Sequence, residues 1–129
     1  MDMKAANDIL VVDDNEMILS LISEVATVNG YRVRIAHNAE EFFAAYAQKK
    51  PALMMIDIVM PDMDGLEMIQ RLAADNCQIP LVIMSGYEYV DDQGIKLLAK
   101  KLNLLSFLRK PFDITELMEL FTSTVEPAH

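Results

Sequence analysis

The sequence predicts an α/β fold, a doubly wound parallel sheet of five strands, and three observations carry that prediction. Five short apolar runs alternate with five stretches of helical periodicity. Several of those runs are apolar throughout, as strands are when helices cover both faces of a parallel sheet. Four of the runs also end in acids, a hydroxyl or a lysine, so these carboxyl ends meet solvent at one rim once right-handed crossovers align them.

Asp8 to Asp14 is β-branched-rich and stops abruptly in two acids, which marks the first buried strand. From Asn15, a capping residue, Met17, Ile18, Leu21, Ile22, Val25 and Val28 recur at helical spacing until the stop at Asn29-Gly30. Tyr31 to Ala36 alternates apolar and polar, the pattern of a half-exposed strand at or near a sheet edge. Asn38 caps a second helix through about Gln48, striped by Phe42, Phe43 and Tyr46 and broken by Lys49-Lys50-Pro51.

The third strand begins at Leu53, and its apolar run is interrupted by one carboxylate, Asp57, before Pro61 and Gly65 close it. A third helix is expected over about 65–74, with Leu66, Ile69 and Leu72 inward. Pro80 to Met84 forms a fourth buried strand that ends at Ser85-Gly86. A helix over about 88–102 follows, weakened in its first half by Gly94. Leu104 to Arg109 is the fifth strand, and Lys110-Pro111 ends it because proline cannot donate to the ladder. Asp113 or Thr115 opens a last helix that carries Ile114, Leu117, Met118 and Phe121, and residues 126–129 are a tail or the start of a linker.

A chain of 129 residues, 53% hydrophobic, corresponds to one domain, here 1–129 with its core at about 8–125. A formal charge of −9 argues against direct nucleic-acid binding, which relies on a basic surface. No apolar stretch approaches the ~20 residues of a membrane span, and the start lacks a basic segment followed by an apolar one, so no membrane partner and a cytoplasmic location are expected. The single Cys77 excludes an internal disulfide and suits a reducing compartment. The ten methionines read mostly as core filler.

Asp57 is the residue that needs explaining. An unpaired charge at the end of a buried strand would cost several kcal/mol, so it has a partner or a task. Alone it could simply bond the amides of the following turn. Asp13 and Asp14, Ser85 and Lys110 each have an equally ordinary role, as helix-entry caps, a turn hydroxyl and a solvated charge. Together they fall at the strand ends where such sheets bind ligands. Three crowded carboxylates repel one another unless a cation sits among them, and hard oxygen donors suit Mg²⁺. A metal, an ammonium and a hydroxyl form the set that holds a phosphoryl group during in-line attack, and Asp57 is the best nucleophile of the group.

These motifs, Asp13-Asp14, Asp57 with Met60-Pro61-Asp62-Met63-Asp64-Gly65, Ser85-Gly86 and Lys110-Pro111-Phe112, resemble the receiver domains of two-component response regulators over essentially Asp8 to Val125. The resemblance implies a CheY-like, flavodoxin-like sheet of order 2-1-3-4-5. It implies phosphorylation of Asp57 by a histidine kinase or phosphotransfer protein, without enzymatic turnover of external substrates. Mg²⁺ would bind Asp13, Asp14, Asp57 and the backbone carbonyl of Val59, with Ser85 and Lys110 on the phosphoryl oxygens and a cis Lys110-Pro111 peptide. Ser85 and Phe107 would switch the surface made by the fourth helix, fifth strand and last helix. Output would pass to an effector domain, a partner protein or a second copy of the chain. Val59 and Tyr87, at the two positions that flank the approach of water, would tune the lifetime of the aspartyl phosphate.

The sequence departs from the family's pattern in two places. The Gly-Ala pair that usually leads into strand five is replaced by Leu102-Asn103-Leu104-Leu105, and the 25 positions from Ser85 to Lys110 exceed the usual interval by about a helical turn. Two other readings remain. An Mg²⁺-dependent aspartyl-nucleophile phosphatase needs a second Asp two residues after the nucleophile, where this chain has Val59. A pseudo-receiver that only binds partners would normally have lost one of the site residues, and all are present.

Overall fold

In the computed structural model, which describes residues 8–58, 65–86, 96–97 and 100–124, five strands form one parallel sheet. They are β1 (Asp8–Val12), β2 (Arg32–Ala36), β3 (Leu53–Asp57), β4 (Leu81–Ser85) and β5 (Leu104–Arg109), in the order β2-β1-β3-β4-β5. Among the described residues four helices accompany them: α1 (Glu16–Val28), α2 (Ala39–Gln48), α3 (Gly65–Ala74) and α4 (Ile114–Thr124). Every residue of β1, β3 and β4 is buried, as their unbroken apolar runs require. The alternating β2 lies at an edge.

Side chains alternate across each strand, so the sheet feeds two cores. Leu10, Val12, Met54, Ile56, Leu81 and Ile83 pack with Phe42 and Tyr46 of α2 and Met68, Ile69 and Leu72 of α3. Their neighbours Ile9, Val11, Leu53, Met55, Val82 and Met84 point the other way, against Leu19, Ile22 and Val25 of α1 and Leu117, Leu120 and Phe121 of α4. Helices thus cover both faces, which makes the fold doubly wound.

The helix ends follow local chemistry. Asn15 Oδ1 accepts from the amides of Met17 (2.9 Å) and Ile18 (3.2 Å), and Asn38 Oδ1 accepts from that of Glu41 (2.8 Å). Asp113 and Glu116 form a reciprocal capping box, each carboxylate accepting from the other's amide. Gly30 ends α1 at φ +88°, a conformation that glycine adopts without a steric cost.

Three details differ from the sequence reading. Met17 and Val28, assigned to the inward stripe of α1, are 82% exposed, while Leu19 and Ala26 are buried in their place. The helix meets the sheet along positions 19, 22, 25 and 26, and its first and last turns overhang the core. Ile114 and Met118 of α4 are likewise exposed, and Leu120 packs inward. Of the helix expected over 88–102, residues 96–97 are helical, 100–103 form turns, and the rest lies outside the described residues.

The pairing of β4 with β5 has one irregularity. Leu81 faces Leu104 but Val82 faces Ser106, so Leu105 is an extra residue in β5 and is exposed.

Candidate functional site

The order of strands reverses between β1 and β3, and the crevice beyond their carboxyl ends is where such sheets accept ligands. The chain leaves β1 through Asp13, whose amide donates to Ala36 O (3.2 Å) and whose Oδ1 accepts from the Asn15 amide (2.9 Å). These bonds hold Asp13 fully buried while Asp14 stands exposed beside it. Asp57 is the last residue of β3 and only 2% exposed. Carboxylate oxygens of Asp13, Asp14 and Asp57 lie within 4.8 Å of one another, the spacing of a shared cation's ligands.

Lys110 reaches this acid group from just beyond β5. Its Nζ lies 2.8 Å from Asp13 Oδ2 and 3.3 Å from Asp57 Oδ2. Burial disfavours the ammonium, but the contacts and charges of Asp13 and then Asp57 outweigh it and raise the pKa above the usual lysine value. The backbone is tied here as well: the Lys110 amide donates to Ser85 O at 2.7 Å, and the Lys110-Pro111 peptide is cis, as the resemblance implies.

Ser85 ends β4 and is wholly buried, and its Oγ has no hydrogen-bond partner. A buried hydroxyl left unpaired costs about 1–3 kcal/mol, and a ligand with acceptor oxygens at this strand end would satisfy it. Phe107 is partly buried and packs on the α2/α3 side of the sheet. Its cross-strand neighbour is Ile83, two residues before Ser85, so Ser85 and Phe107 face the same way on adjacent strands.

The structure therefore brings together Asp13, Asp14, Asp57, Lys110 and Ser85, five residues singled out from four separate strand ends. Val59 and Tyr87 lie outside the described residues. One positioning residue was missed: Gly65 was read as a turn signal, but its role is contact. Its amide donates to Ile58 O at 3.2 Å, and a Cβ there would fall 2.2 Å from Ile58 Cα. Only glycine lets α3 start against the residue that follows Asp57. The Met-Pro-Asp-Met-Asp-Gly spacing signalled the turn but not this packing.

A sheet of this order with this rim defines a class, and comparison with known proteins agrees. Residues 9–122 match the model of the response regulator receiver domain, so the chain belongs to that family of two-component response regulators. Among curated relatives, the uncharacterized transcriptional regulatory protein YkoG of Bacillus subtilis is 30% identical over 110 residues, covering 85% of this chain and 47% of its own length. The transcriptional regulatory protein FixJ of Rhizobium meliloti is 29% identical over 109 residues, covering 84% and 52% respectively. The chain thus spans about half the length of these relatives. Among solved structures, the receiver domain of NtrX from Brucella abortus superposes with a TM-score of 0.77 at 26% identity, covering 94% of this chain and all of that one.

Proposed function

We propose that Asp57 accepts a phosphoryl group from a phosphohistidine of a kinase or phosphotransfer protein, and that the modification alters the surface around Phe107. The observation that carries this reading is the unpartnered, buried Ser85 hydroxyl beside Lys110 and three carboxylates. In the transfer, a carboxylate oxygen of Asp57 forms the new bond to phosphorus as the histidine nitrogen leaves with its electron pair. Lys110, already charged and at hand, pairs with the phosphoryl oxygens, and the Ser85 hydroxyl donates to one of them. Bound at Asp13, Asp14 and Asp57 with the Val59 carbonyl, Mg²⁺ would offset the repulsion among the carboxylates and phosphoryl oxygens.

Ser85 and Phe107 share one face of adjacent strands, so drawing Ser85 toward the phosphoryl group opens room for Phe107 to repack. An effector domain, a partner protein or a second copy of the chain would read that change. The charge of −9 favours such protein partners over direct contact with nucleic acid. Among the described residues no helix is long and apolar enough to cross a membrane, and the proposed location is cytoplasmic.

The test is Mg²⁺-dependent labelling of the chain by acetyl phosphate. Label should map to Asp57 and be abolished by Asp57→Asn; label on Asp13, Asp14 or Ser85 would sink the assignment. Val59 and Tyr87 offer no carboxylate or amide to orient a water, so the labelled form should decay slowly. The Val59→Asn, Tyr87→Glu double variant should decay faster, and equal lifetimes would refute the shielding role.

A further inference from the structure

At the end of the fold remote from Asp57, the last turns of α2 and α3 border a groove of about 360 Å³ that the proposed phosphoryl chemistry does not use. Two cations face it. Lys50 Nζ lies 3.7 Å from the centroid of the Tyr46 ring, and Arg71 Cζ lies 3.8 Å from that of Phe43. Neither has a carboxylate within ion-pair distance among the described residues, although the chain holds 20 acids against 11 lysines and arginines. In so acidic a protein, a groove that sets two cations, neither of them ion-paired to a described residue, against the single carboxylate of Asp75 is a locally positive site.

The groove is also lined by packed rings and a polar pair. Tyr46 is buried, its ring stacks on the fully buried Phe42 at 6.2 Å, and its hydroxyl donates to Asp75 Oδ2 at 3.0 Å. Phe43 stands edge-on to Tyr46 with Arg71 over it. A guanidinium layered on a ring still presents its other planar face, to which a second flat ring can stack. The exposed Asp75 supplies acceptor oxygen at the same groove, which suits a ring-borne N–H.

We propose that this groove binds a small anion built on a nitrogen heterocycle, of the nucleoside monophosphate class. The ring extends the Phe43–Arg71 stack, the exocyclic amine donates to Asp75, and Lys50 and Arg71 take the phosphate. The volume falls within the range of ordinary small-ligand pockets. Because the groove is open and its cations are solvated, the binding should be weak and fall steeply with added salt.

The experiment is an amide-shift titration of the intact chain with adenosine monophosphate, with adenosine and inorganic phosphate as separate probes. The expected result is saturable shifts in residues 43–50 and 71–75, retained in Asp57→Asn, so that the outcome does not depend on the phosphoacceptor. Lys50→Ala should weaken binding about tenfold, as loss of one charge-assisted contact does. Arg71→Lys, which keeps the charge but not the plane, should weaken it as well. Each variant's unfolding midpoint reports whether it folds. The absence of shifts, shifts confined to the Asp57 rim, or equal binding of inorganic phosphate would overturn the proposal.

Discussion

Gly65 shows how one hydrogen atom in place of a methyl group decides the local geometry. A Cβ 2.2 Å from Ile58 Cα meets backbone, which cannot rotate aside as a side chain can. Gly65→Ala should therefore destabilise the fold by about 3 kcal/mol, the upper part of the overpacking range, as measured by urea unfolding. It should also slow labelling at Asp57, because the strand end must move to relieve the clash. At this scale the sequence was legible where chemistry leaves few options. Acids at the ends of buried strands had to converge, because a parallel sheet places all carboxyl ends on one side. What could not be read was the pairing within the cluster. Lys110 sits closer to Asp13 than to Asp57, a difference of half an ångström.

Between elements, two polar contacts hold the edge strand β2. At its middle Arg34 pairs with the buried Asp8 at 2.7 Å and donates to the carbonyls of Ala45, in the last turn of α2, and Lys49, which caps it. Removing the cation leaves a buried carboxylate uncompensated, so Arg34→Met should cost about 3 kcal/mol by chemical denaturation. Replacing Asp8 by Asn as well should recover part of that loss. Beyond the strand's end His37 bridges α1 and α2, with Nε2 3.0 Å from Glu16 and Nδ1 3.1 Å from Glu41, whose Oε1 also accepts from the His37 amide.

The hydrogen bond to Glu41, against partial desolvation and with help from the charges of Glu16 and Glu41, raises the His37 pKa above 6.5. The bonds from the His37 amide and ring lower that of Glu41 below 4.5. A raised histidine contributes stability that is complete below 6.5 and lost as pH climbs through its folded pKa; a depressed carboxylate loses its contribution as pH falls below 4.5. The bridge should thus hold best between these limits. A ring-proton titration should place the His37 midpoint above 6.5 in the wild type and return it toward 6.5 in Glu41→Gln. The strand bounds at Leu104–Arg109 and the caps at Asn15 and Asn38 were legible because local residues decide them. The inward face of α1 was not: apolar spacing admits either Met17 or Leu19, and only the tilt of the helix on the sheet chooses between them.

Across the whole molecule, the acid cluster sets a tension between folding and function. Asp13, Asp14 and Asp57 repel one another, and one ammonium at 2.8 and 3.3 Å balances only part of their charge. A ligand that binds only the folded state stabilises it by RT ln(1 + [L]/Kd), about 2.7 kcal/mol at a hundredfold excess over Kd. Mg²⁺ should accordingly raise the melting temperature of the wild type but not of Asp14→Ala. If that variant melts higher than the wild type without Mg²⁺, repulsion is the larger effect of Asp14; if Mg²⁺ stabilises both proteins equally, the cluster does not hold the metal.

The extra residue at Leu105 has a consequence beyond the register of two strands. A parallel sheet that is not closed has two edges, here β2 and β5, and an edge whose amides and carbonyls lie flat is a template on which another chain can add a strand. The bulge kinks β5 after its first residue, and Pro111 cuts off donation just past its last, so the regular edge is confined to Ser106–Arg109. On the other side, the exposed Arg32 places positive charge on β2, while the charge of Arg34 is paired with Asp8. The same irregularity that shifts Leu105 out of pairing thus shortens the edge on which a mostly apolar sheet could add a strand.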